Sequence, residues 1–78
     1  MRPHATKDDY ERALAGIEFP ASSDAIIRQA RDRGGIDSEV IAMFERLPDI
    51  SFSSIDEMVA AIRGIYAAAG VAAADTPL

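Results

Sequence analysis

Val40, Met43, Phe44 and Leu47 stand at i, i+3, i+4 and i+7, and Pro48 follows directly. This spacing lines four apolar side chains along one side of a helix. Pro48 ends the helix, because its ring removes a backbone donor and clashes with the turn before it. Asp37 or Ser38 is placed to cap the free N–H groups at the start. A chain bearing this stripe needs other elements with apolar faces to cover it, and the rest of the sequence provides three.

Tyr10, Ala13, Leu14 and Ile17 repeat the same spacing. Thr6 is placed as the cap, Asp8 and Asp9 lie in the first turn where the helix dipole favours negative charge, and Gly16 marks the end. A second helix opens at Ser22 or Ser23, carries a modest stripe of Ile26, Ile27 and Ala30, and closes at Gly34-Gly35, where adjacent glycines permit a tight reversal. The fourth helix is the longest. Ser54 and Glu57 are spaced as a capping box, and Ile55, Met58, Ile62, Ile65 and Ala69 step alternately by three and four, with Val59 and Tyr66 widening the face and Gly70 closing it.

Two connections look alike. Ile17-Glu18-Phe19-Pro20-Ala21 and Asp49-Ile50-Ser51-Phe52-Ser53 each place apolar residues before a serine cap. We read them as apolar plugs, with Phe19 and Phe52 anchoring loops into the interior and no strand required. The expected architecture is all-α: a compact bundle of four short helices with apolar plug loops, one domain over residues 6–70, and flexible termini at 1–5 and 71–78.

At 78 residues there is one core, since two would each be too small to offset chain entropy. Cysteine is absent, so the core has no disulfide staple and must pack well or associate. The polar, acidic start is unlike a secretory signal, and the alanine-rich stretch from Gly64 to Ala74 is far shorter than the ~20 apolar residues of a membrane span. The cytoplasm is the expected location. Eight basic against thirteen acidic residues give a net charge of −5, which repels phosphate backbones.

The run Leu14-Ala15-Gly16-Ile17-Glu18-Phe19-Pro20-Ala21-Ser22, followed by Ala30, Val40, Leu47-Pro48-Asp49, Phe52, Ser54, Val59 and Ala61-Ile62, resembles the small bacterial domains of unknown function indexed as DUF2795. The resemblance covers about Tyr10 to Ile65. It implies a helical fold and transfers no active site, because every matching residue is a core, cap or turn residue. The chain departs from the pattern at Gly34-Gly35-Ile36 and in having serine where a proline often opens the last helix.

No constellation for catalysis emerges. His4, the only histidine, has no Cys or second His at metal-ligand spacing and reads as a solvated residue of the leader. Asp8-Asp9 and Asp56-Glu57 are explained by helix dipoles, and the serines by caps and turns. Gly34-Gly35 ahead of a helix is a faint anion signal, with Asp37 already competing for that helix end. No catalytic, cofactor or metal residues are therefore expected.

Two surfaces remain. The fourth helix is apolar or small nearly all round, and a helix of that kind is either enclosed by its own domain or shared with a partner. Met58, Val59, Ile62, Ile65, Tyr66 and Ala69 are the expected interaction surface of a non-enzymatic interaction or regulatory module, binding another protein or a second copy of itself. The alternative is a nucleic-acid-binding regulator using a basic patch of Arg28, Arg31 and Arg33 in a helix-turn-helix arrangement. The helix that would enter the groove is itself acidic, with Asp37, Glu39 and Glu45 against Arg46, and Asp24 is spaced to pair with Arg28.

Overall fold

The computed structural model describes residues 2–78, and Met1, part of the expected 1–5 leader, lies outside them. The four helices form where their stripes and caps place them: α1 (Lys7–Ala15), α2 (Ser23–Arg33), α3 (Ser38–Glu45) and α4 (Ile55–Ala68). Thr6 and Asp9 make a complete capping box on α1, with Thr6 N–H donating to Asp9 Oδ2 at 2.8 Å and Asp9 N–H to Thr6 Oγ1 at 3.2 Å. Ser22 caps α2 and Asp37 caps α3. At α4 the expected reciprocal box is only half formed. Ser54 Oγ accepts the Glu57 N–H, but the Glu57 carboxylate reaches one residue further back, to the N–H and hydroxyl of Ser53 at 2.8 and 2.7 Å.

The fold is mostly helical and not purely so. Ala21–Ser22 (β1) and Ser51–Phe52 (β2) form a two-stranded antiparallel sheet, Ala21 opposite Phe52 and Ser22 opposite Ser51. The expectation that no strand was needed fails for a physical reason. Both plugs carry backbone polar groups toward the interior, where each must find a partner, and two extended segments entering side by side supply one another. Phe52 is a plug as expected, buried to 1%. Phe19 is only half-buried, next to a cis Phe19–Pro20 peptide, and its neighbours Ile17 and Ala21 fill the interior instead.

All four helices and both connections meet in one core. Tyr10, Ile26, Val40, Phe44, Met58, Ile62 and Tyr66 are completely enclosed. Burying side chains of this size contributes about 1.5–3 kcal/mol each, against the entropy of ordering the chain. The core extends past residues 6–70 at both ends. Ala5 and Val71 belong to it, Gly70 reverses the chain at φ 87°, a 3-10 turn follows at Ala73–Asp75, and Leu78 packs against the core. The radius of gyration of 11.5 Å equals the ~11.5 Å of a compact domain of this length.

Candidate functional site

Among the described residues one charged side chain is buried. Glu39, in the first turn of α3, is 6% exposed and accepts three hydrogen bonds: from His4 N–H at 2.8 Å, Ala5 N–H at 3.2 Å and the Tyr66 hydroxyl at 2.7 Å. Burial pushes its carboxyl up, but the His4 N–H, the Tyr66 hydroxyl, the Ala5 N–H and the nearby imidazole together hold it below the usual carboxylate range. It is therefore an acceptor only, and the one Tyr66 hydroxyl hydrogen goes to it. Tyr10, whose oxygen lies 2.6 Å from that of Tyr66, must then donate to Tyr66. The two rings meet edge to face with centroids 6.2 Å apart. Burial pushes the Tyr10 hydroxyl up to about 12 and raises Tyr66 further.

This network ties the segment before α1 to α3 and α4. His4 is exposed, as expected of a solvated residue, and its ring is also engaged. Its Nδ1 lies 3.2 Å from Glu39 Oε1 and its Nε2 3.4 Å from Asp37 Oδ1. One ring nitrogen faces each carboxylate, so the three groups do not converge on a common point. Among the described residues, no cluster of three or more His, Cys, Asp or Glu could hold a metal ion.

Sequence reasoning missed this network, although signals for it were present. Tyr10 and Tyr66 both lie on core stripes, and a buried hydroxyl requires a partner. Glu39 precedes Met43 by four residues, which places an acid on the apolar side of α3.

The candidate arginines are separated by what they bind. Arg33 folds back on α1, donating to the carbonyls of Ala13 at 2.9 Å and Arg12 at 2.7 Å, and so caps that helix's C-terminus. Gly16 makes this possible: a Cβ there would lie 2.5 Å from Arg33 Nη1. Arg31 pairs with Glu45 of α3 at 2.9 Å. The Asp24–Arg28 ion pair suggested by their spacing does not form among the described residues.

The six residues expected as an interaction surface on α4 divide in two. Met58, Ile62 and Tyr66 have no exposure and face the chain's own core, so they present nothing outward. Val59, Ile65 and Ala69 are half-buried. Of the two alternatives for a helix apolar nearly all round, enclosure holds for the inner half of the face, and only the outer half is left partly open. The buried half packs against α3 and β2, with Tyr10 of α1 edge to face on Tyr66.

An apolar surface does remain, displaced toward the start of α4. Ile55, 42% exposed, and Val59 form an open groove of about 410 Å³ with Leu14 and Ala15 of α1 and Leu78. Lys7 and Glu11 stand on its rim, paired with each other at 3.9 Å. Among the described residues no helix is long and apolar enough to cross a membrane.

A family model described as "Protein of unknown function (DUF2795)" matches residues 5–59, and the chain belongs to that family. No curated protein and no solved structure matches the chain.

Proposed function

We propose that this DUF2795 member is a non-enzymatic interaction module of the cytoplasm, docking another protein on the apolar groove between α1 and α4. The observation that carries the reading is the Ile55–Val59 surface, an apolar helix turn left open beside Leu14 and Ala15 of α1. The buried network supports a structural role for the chain's most chemically capable groups. Among the described residues no buried side-chain polar atom lacks a partner, and each tyrosine hydroxyl is engaged. The absence of cysteine and the acidic balance fit a reducing compartment and a protein partner rather than a nucleic acid.

The test is a photo-reactive phenylalanine replacing Ile55 in living host cells. The expected result is a covalent adduct with one discrete protein, lost when Val59→Glu is added. No adduct, or an adduct indifferent to Val59→Glu, overturns the reading. An adduct of twice the chain's mass makes the partner a second copy, and a nucleic-acid adduct transfers the function to the arginine patch.

A further inference from the structure

We infer that residues 2–5 form a strap which a proton on His4 fastens to α3, so that the segment before α1 closes in mildly acidic solution and loosens in mildly alkaline solution. The geometry of the ring carries this. Its Nδ1 faces Glu39 Oε1 at 3.2 Å and its Nε2 faces Asp37 Oδ1 at 3.4 Å. A neutral imidazole donates from one nitrogen only, which leaves the other to point a lone pair at a carboxylate oxygen. Glu39, held below the usual carboxylate range, has no proton to offer it. The imidazolium donates from both nitrogens, and so it alone satisfies both contacts.

Among the described residues, the hydrogen bonds and ion pairs that tie residues 2–5 to other elements all end on Glu39 and Asp37. They are the His4 N–H on Glu39 Oε1, the Ala5 N–H on Glu39 Oε2 and the two ring contacts. The Tyr66 hydroxyl holds Glu39 from α4, so the carboxylate stays with the core when the strap lifts. Two further charged groups face the ring. Asp9 of α1 has its carboxyl held low by its Thr6 hydrogen bonds and, in smaller part, by Arg12 and His4. Arg46 of α3 shares with His4 an open cleft of about 440 Å³. Of the side-chain types present, carboxyl, guanidinium, phenol and imidazole, only imidazole ordinarily changes charge between about pH 5 and 8. The protonated form is the fastened one, so fastening is complete below the imidazole range and is lost as pH rises through it. The His4 side chain is 66% exposed, and solvent screening keeps the effect small.

The test is hydrogen exchange of the Ala5 N–H in the full chain at pH 5 and pH 8, corrected for the intrinsic exchange rate. Protection should be about two- to fivefold greater at pH 5. At both pH values Ala5 should exchange faster than the Ile62 N–H, because the strap opens without the core. His4→Gln keeps the backbone donors to Glu39 and should abolish the difference between the two pH values. Asp37→Asn keeps a cap for α3 and should reduce it. Equal Ala5 protection at pH 5 and pH 8 in the parent chain overturns the fastening by His4, and so does a difference that survives in His4→Gln. Ala5 protected as strongly as Ile62 overturns the strap, since the segment would then open only when the whole chain unfolds.

Discussion

Helices α1 and α4 border two regions of opposite character. Toward the end of α4, Tyr66 meets Tyr10 and Glu39 in a closed network where a charge is buried and every partner is accounted for. Toward its start, Ile55 and Val59 meet Leu14 in an open groove where apolar surface stays wet. Solvation alone favours the reverse in both places, oil inside and charge outside. The difference teaches where constraint and availability lie. A buried carboxylate tolerates little change because three donors depend on it, whereas an open apolar groove can change its residues at small cost to the fold.

Stability measurements can break that contrast. Glu39→Ala strands the His4 and Ala5 N–H groups and the Tyr66 hydroxyl, and should cost about 3–5 kcal/mol in urea unfolding. A chain of this length has about 4–12 kcal/mol in total, so the variant should be marginal; a loss below about 1 kcal/mol would show that the network does not constrain the fold. Tyr66→Phe should cost about 2 kcal/mol by leaving Tyr10 without an acceptor and Glu39 short of a donor.

The same groups set the pH dependence. Glu39 is held below its unfolded value, so its contribution is complete above the ordinary carboxylate range and is lost as pH falls through its folded pKa. Tyr10, raised to about 12, and Tyr66, raised as well, contribute fully below the ordinary tyrosine range and lose that contribution as pH climbs through it toward their folded values. Thermal melts across pH should therefore fall off at both ends. Glu39→Gln should flatten the acid limb and also soften the alkaline one, because the Glu39 carboxylate helps to raise both tyrosines; an acid limb unchanged in that variant would assign acid sensitivity elsewhere.

Smaller effects sharpen the comparison. Gly16→Ala should displace the Arg33 guanidinium from the end of α1 and cost about 1 kcal/mol, and Arg33→Ala should add little to it, because both remove the same two hydrogen bonds. Full additivity in the double variant would refute this coupling. Ile55→Ser, on the groove side, should stay within about 0.5 kcal/mol of the parent while reducing docking. A large stability loss there would mean that the groove is part of the core.

What the sequence made legible follows from distance along the chain. Stripes and caps are local, so Val40 to Leu47, Thr6 with Asp9 and Ser54 declared themselves. The link from Glu39 to Ala5 and Tyr66 joins residues far apart, and only their individual oddities, an acid and two hydroxyls on apolar faces, hinted at it. The β1–β2 pairing was hidden for the same reason: two segments that each read as a loop became strands only in one another's presence. The groove was half visible. Val59 stood among the expected surface residues, but which side of α4 remained uncovered depended on residues 71–78 turning back, and Gly70 had suggested only an ending.

The pairing of Ala21 with Phe52 has a kinetic consequence. It joins the α1–α2 connection to the α3–α4 connection, and closing that span carries an entropic cost which the packing of α2 on α3 inside it reduces by shortening the free chain. Helices nucleate from their own caps in about microseconds, whereas this pairing, like the Tyr10–Tyr66 contact, waits on residues far apart in the chain.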